Sequence, residues 1–298
     1  MRLGQRAPYI GYRSASFVAN ALPAGVAVVM ARVLGVVMSV AMRGRRRMIG
    51  RHLRRVYGQR AGRWRVALGV QAAFDSYARY WLESFRLATT TPAALDASMS
   101  YEGLDIIEAA LANGKGVIAA LPHLGGWDFG GAWLTSQGYP LTVVVEDLQP
   151  PELFEWFARL RAGLGLTIVR HGREAGGAVA RALRANQVVC LLSDRDLTRD
   201  GVEVEFFGER TTLPAGPATL ALRTGAALVP MALYYDRHGH YGVVRPPIPT
   251  TREGSVRADV GRITQLLASE LETLIRRAPE QWHLFQPNWP SDFESLRT

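Results

Sequence analysis

Hydrophobic positions change their spacing along the chain, and the changes mark its elements. Between residues 66 and 87, Val66, Val70, Phe74, Tyr77, Tyr80, Trp81 and Phe85 recur at three- and four-residue steps. That is the spacing of one face of an α-helix. From about residue 100, short unbroken apolar runs alternate with helical stretches. Val117-Ile118-Ala119-Ala120-Leu121 has no polar side, which predicts a strand covered on both faces. Residues 141–145, 167–169 and 188–192 read as further strands, and 202–206 alternates in period two, like a half-exposed strand. Residues 227–235 and 242–245 complete the strand set. Helices are predicted at 127–137, 151–164, 174–185, 215–224 and 256–277. Strands alternating with helices predict an α/β fold with a mainly parallel central sheet flanked by helices. Sites in such sheets lie at the carboxyl ends of strands. Three polar clusters fall there: His123 to Asp128, Glu146-Asp147, and Asp194-Arg195-Asp196.

Charge changes the picture at the N-terminus. The net charge is +9, yet residues 1–74 hold fourteen arginines and no Asp or Glu. The rest of the chain carries 21 basic against 26 acidic residues. The basic character therefore belongs to the first quarter, where Val, Met, Leu and Ala crowd the same stretch. An apolar, basic segment fits an anionic membrane surface better than a nucleic acid. Residues 24–42 are about long enough for a membrane span, but Pro23, Gly25, Arg32 and Gly35 weaken it. Seven arginines between 43 and 55 oppose translocation. The segment 14–57 is expected to form helices lying on the cytoplasmic face of the inner membrane, with a true span at 24–42 as the alternative. This divides the chain into a membrane-associating part, 1–65, and an α/β domain, 66–298. Cys190 is the single cysteine, which excludes an internal disulfide and a cysteine-based metal cluster. Its apolar neighbours predict a small core residue.

The candidate chemistry centres on Leu121-Pro122-His123-Leu124-Gly125-Gly126-Trp127-Asp128. His123 leaves a buried strand, Pro122 stiffens the exit, and Gly125-Gly126 allows a tight turn. Asp128 falls in the first turn of the next helix. A histidine beside a carboxylate is held in one tautomer and can take a proton from an alcohol. The spacing alone is weak: with 6 histidines and 11 aspartates in 298 residues, such a pair arises by chance about one time in five. The strand before it and the glycines within it add the specificity. Asp194-Arg195-Asp196 also spells the Asp-x-Asp pattern of metal-dependent glycosyltransferases, a different class of enzyme. Arg161 and Arg195 fit phosphate binding or ordinary ion pairs. Glu146 ends a strand of valines, where it lines a site or stands as a plain charge. Pro214-Ala215-Gly216-Pro217 fits helix initiation or close ligand approach. His52, His171, His238 and His240 lack a carboxylate at suggestive spacing and are expected at the surface. Trp282 and His283 fit packing or closure of the site. No zinc-type cluster is present, so no metal is expected.

These residues bear a resemblance to a family. Leu121–Asp128 looks like the His, four residues, Asp motif of the glycerolipid acyltransferase superfamily. The chain resembles, more closely, the bacterial late acyltransferases of lipid A biosynthesis and their actinobacterial relatives, the phosphatidylinositol mannoside acyltransferases. Further landmarks are Ser76-Tyr77-Ala78-Arg79-Tyr80-Trp81, Asp194-Arg195-Asp196-Leu197-Thr198-Arg199, Phe206-Phe207-Gly208, Pro214–Ala218 and Trp282-His283-Leu284-Phe285-Gln286-Pro287. They keep the family order from about residue 70 to 290. The resemblance implies an acyl-CoA donor as co-substrate, no bound cofactor, and a mannosylated phosphatidylinositol acceptor esterified on a mannose hydroxyl. A lipid A precursor acylated from an acyl carrier protein is the alternative within the family. The resemblance also implies a second acid at Asp194, where mycobacterial members carry the longer glutamate. Two arrangements remain open. Either Asp128 orients His123, or Asp194 does while Asp128 organises the loop with Arg161 and Glu146. The end of an adjacent buried strand favours Asp194.

Overall fold

A strand with no polar side needs cover on both faces, and β2 (Val117–Leu121) has it, with all five residues buried. The structure is a computed structural model that describes residues 3–237 and 239–294. Among the described residues, four long helices open the chain: α1 (Leu3–Ala21), α2 (Ala24–Ala41), α3 (Arg43–Tyr57) and α4 (Arg63–Arg86). After α5 (Pro92–Ala97) come β1 (Met99–Glu102), α6 (Leu104–Ala112), β2, α7 (Trp127–Ser136), β3 (Leu141–Val145), α8 (Pro151–Ala162), β4 (Leu166–Arg170), α9 (Ala175–Arg184) and β5 (Val188–Leu192). The ribbon of β6 (Val202–Phe206) and β7 (Glu209–Leu213) leads to α10 (Gly216–Thr224), β8 (Ala227–Asp236) and β9 (Gly239–Val244). The long α11 (Val256–Arg277) and short α12 (Pro290–Glu294) end the described chain.

Seven strands form one sheet in the order β1-β9-β8-β2-β5-β3-β4. Every neighbouring pair is parallel except β8 with β9. The mainly parallel α/β sheet flanked by helices is thus the fold. Residues of β2 alternate between two cores. Ile118 and Ala120 join a cluster with Val179 and Leu183 of α9 and Ile263 and Leu267 of α11. Val117, Ala119 and Leu121 join one with Ile107 of α6 and Phe129 and Trp133 of α7.

The N-terminal helices pack on α4. α2 turns its small residues inward: Ala27, Ala31, Gly35 and Ser39, four apart, are buried. A Cβ on Gly35 would lie 2.4 Å from Asp75 Oδ1, so the helix seats closely. Its valines Val26, Val29, Val33, Val37 and Val40 are exposed. Among the described residues, no single helix is long and apolar enough to cross a membrane. α2 and α3 meet at 97° and pass that test only as a bent pair.

Two expectations about histidines are corrected. His52 and His240 are buried, not at the surface. Their carboxylate partners, Asp292 and Glu83, arrive from distant helices, which no local spacing shows. His171 is exposed, and His238 lies outside the described residues.

Candidate active site

Strand register brings the chemistry together. β2 pairs with β5 so that Leu121 stands opposite Leu192. His123 and Asp194, each two residues further on, therefore leave the sheet side by side. Glu146 follows β3, the next strand over.

Asp194 is fully buried. Its Oδ1 accepts from His123 Nδ1 at 2.6 Å. Its Oδ2 accepts from the His123 backbone N–H at 3.0 Å and from Trp282 Nε1 at 2.7 Å. Burial alone would raise the carboxyl pKa; the charge and donors of His123, with the Trp282 indole, outweigh it and hold Asp194 below the usual carboxylate range. An ionised carboxylate only accepts, so Nδ1 carries a proton, and whenever the ring is neutral its lone pair lies on Nε2. The side chain of His123 keeps 21% exposure, and the residue lines two cavities.

The turn after His123 is forced by close approach. Gly125 has φ +61°, and a Cβ there would stand 1.9 Å from the Leu233 carbonyl oxygen. From the other side, residues 281–283 clamp the turn. Gly125 N–H donates to Gln281 O at 2.9 Å, and His283 N–H donates to His123 O at 2.7 Å. Trp127 meets the His123 ring edge-on at 5.6 Å.

Asp128 has other partners. Arg161 donates Nε to Oδ1 at 2.8 Å and Nη2 to Oδ2 at 2.9 Å. Tyr80 Oη donates to Oδ2 at 2.8 Å. Burial opposes ionisation, but the Arg161 guanidinium and these donors hold Asp128 below the usual range as well. Asp128 thereby ties α7 to α4 and α8, and His123 is not among its partners. Glu146 joins Arg195 at 2.8 Å, so it is not part of the Asp128–Arg161 cluster. Arg161 commits two nitrogens to Asp128. Arg195 has a buried Nε without a partner among the described residues.

Two cavities meet at His123, Val144, Glu146, Leu192 and Arg195. One, of about 450 Å³, is walled by α9, the loop 195–201 and Pro214–Pro217 at the start of α10. The other, of about 330 Å³, is walled by Tyr77, Tyr80 and Trp81 of α4, Tyr12 of α1, and Leu148, Leu153 and Leu166. Cys190 lines this second cavity. Burial pushes its thiol up to about 12, so it is not a thiolate nucleophile at neutral pH. His283 also lines it. Burial, with the nearby His123 charge, pushes His283 down to about 3, and its Nε2 lies 2.8 Å from Ser76 Oγ. Asp194-Arg195-Asp196 does not act as a metal-holding pair. Asp194 faces His123, while Asp196 accepts from the backbone of Thr198, Arg199 and Gly201.

The indole of Trp282 is the site contact that sequence reasoning did not assign. Its segment was visible as a landmark, but the antiparallel bridge between Leu124 and Trp282 joins distant parts of the chain.

Known proteins share this arrangement of sequence. The profile of the bacterial lipid A biosynthesis acyltransferases matches residues 9–291. A phosphatidylinositol mannoside acyltransferase of Mycobacterium tuberculosis is 41% identical over 231 residues, 76% of this chain and 72% of that protein. One of Mycolicibacterium smegmatis is 39% identical, over 76% of this chain and 74% of its own length. A lipid A biosynthesis acyltransferase of Haemophilus influenzae is 29% identical over 63% of this chain and 58% of its own.

Proposed function

Since the chain belongs to the bacterial lipid A biosynthesis acyltransferase family and is an acyltransferase, we propose that it moves a fatty acyl group from acyl-CoA onto a mannose hydroxyl of a phosphatidylinositol mannoside, with His123 as general base. The observation that carries the mechanism is His123 at the junction of two cavities with its Nδ1 held by the buried Asp194, which leaves Nε2 to act as the base. The acceptor hydroxyl gives its proton to Nε2 while its oxygen attacks the thioester carbonyl. The tetrahedral oxyanion collapses, the C–S bond breaks, and the leaving thiolate takes the proton back from the imidazolium. Asp194 holds the ring in the tautomer this needs and stabilises the imidazolium. The aromatic and aliphatic cavity suits the acyl chain. The cavity bearing Asp196, Thr198 and Asp200 suits a sugar headgroup.

The acceptor follows the mannoside-named relatives, which are more similar to this chain than the lipid A enzyme. Location follows from the first helices. α2 presents a face of exposed valines, and Arg43, Arg45, Arg46 and Arg47 beside it are exposed. Such a face rests on an anionic leaflet, in the plane of its headgroups. The reading is a peripheral enzyme on the cytoplasmic face of the inner membrane.

Radiolabelled acyl-CoA, incubated with the purified protein and a membrane lipid extract, tests the proposal. Label should move to mannosylated phosphatidylinositol lipids. Transfer only from acyl carrier protein to a lipid A precursor would replace both donor and acceptor. Sugar transfer from a nucleotide sugar, without acyl transfer, would overturn the reading altogether.

A further inference from the structure

Buried carboxylates need donors on both oxygens, and those of Asp194 come from two places. Oδ1 has the His123 imidazole; Oδ2 has the His123 backbone amide and the Trp282 indole. Trp282 is the only side chain besides His123 that donates to this carboxylate among the described residues. Its indole is 3% exposed and boxed by His52, Phe206, Phe207 and Trp289. A ring so confined has little freedom to move its N–H. The residues on either side of Trp282 bond the turn that carries His123, through Gln281 O and His283 N. The same three-residue segment thus fixes the carboxylate by a side chain and the histidine turn by its backbone.

The geometry points to Trp282 as a positioning residue: its indole N–H locks the Asp194 carboxylate so that Oδ1 stays aimed at His123 Nδ1. It does not touch the reacting atoms and acts through Asp194. The assignment rests on the reading of His123 as the base. Without the indole, Oδ2 keeps one backbone donor, and the carboxylate can rotate away from the imidazole. Nδ1–H then loses its fixed acceptor, and the lone pair on Nε2 no longer points steadily into the crevice. A packing role predicts something different, because Phe keeps an aromatic ring in the box and loses only the donor.

Trp282→Phe should lower kcat roughly 10-fold, the scale of one hydrogen bond to a charged group, with the KM for acyl-CoA unchanged. Trp282→His, which restores a ring N–H at similar reach, should recover most of that loss. In an Asp194→Asn background, Trp282→Phe should cost nothing further, since residues acting as one unit are not additive. Wild-type turnover in Trp282→Phe, equal losses in the Phe and His variants, or full additivity with Asp194→Asn would each overturn the assignment. A fully active Asp194→Asn enzyme would overturn the positioning role and leave the general-base reading standing, whereas a fully active His123→Ala enzyme would remove that reading, and this inference with it. Should the Trp282 variants not fold, proton NMR on the wild-type and Asp194→Asn proteins still decides. The Trp282 indole resonance should move upfield when the charge is lost; an unmoved resonance overturns the assignment.

Discussion

Two regions of this molecule hold a histidine against a buried aspartate, and they do opposite things. At the strand ends, His123 Nδ1 meets Asp194 at 2.6 Å, and the other ring nitrogen is left free at a cavity junction. Between α3 and the C-terminal α12, His52 Nε2 meets Asp292 at 3.2 Å, and Nδ1 lies 2.9 Å from the Leu284 carbonyl. Both His52 nitrogens face acceptors, and the ring is 2% exposed. Asp292 also receives Arg51 at 3.0 Å, Arg55 at 2.8 Å and the backbone amides of Asn288 and Trp289. That region is an anchor: it pins the basic helix α3 to the end of the chain. The pairing alone therefore does not make a base. The proposed base differs in having a ring nitrogen that faces open volume, and His123 has it because the carboxyl ends of β2 and β5 meet two cavities.

The comparison breaks most sharply at His123. His123→Ala should lower acyl transfer by ~10² to 10⁴ and leave the unfolding midpoint near that of the wild type. Retained turnover would place the chemistry elsewhere.

Asp292→Asn should do the reverse. Breaking a buried charged cluster costs about 3–5 kcal/mol, read as a lower denaturant midpoint, while the folded fraction should lose far less kcat than His123→Ala does. The effect should depend on pH. Burial would raise the Asp292 pKa, but His52, the amides and Arg55 hold it well below the carboxylate range. A depressed carboxyl contributes its stability above the unfolded pKa of about 3.9 and loses it as pH falls toward the folded value. The stability gap between the wild type and Asp292→Asn should then be full at pH 7 and shrink below about pH 4. A gap that grew in acid would contradict the assigned charge state.

The smallest effects per residue should separate the two faces of α3. Neutralising the exposed Arg43, Arg45, Arg46 and Arg47 should weaken binding to anionic vesicles by roughly 1 kcal/mol per charge; of the four, Arg46 alone should also move the unfolding midpoint, because it donates to the buried Ser39 hydroxyl. Arg55→Gln, on the inward face against Asp292, should move the midpoint. Vesicle binding that ignored both the four arginines and added salt would favour apolar insertion through α2.

Much of the architecture was legible from residues alone. Apolar runs such as Val117–Leu121 and Val188–Leu192 specify strands buried on both faces, because a short run with no polar side has no other stable place. The turn at His123 was visible for a local reason as well: Pro122 before it and two glycines within it restrict the backbone there. β1 and β7 were not visible. Met-Ser-Tyr-Glu and Glu-Arg-Thr-Thr-Leu carry little hydrophobic signal and become strands only by pairing with β9 and β6. Nor could spacing choose between the two carboxylates. Asp128 is five residues from His123 yet bonds Arg161 and Tyr80, because α7 turns its first residues toward α4 and α8. Asp194 is 71 residues away and becomes the partner only because β5 lies beside β2 in matched register. Trp282, 88 residues beyond Asp194, completes the set from the last segment of the chain. Local sequence determines which stretches become strands and where their turns fall. Which strands stand next to each other is decided by the packing of the whole chain, and hydrogen bonds reaching about 3 Å form only after that choice is made.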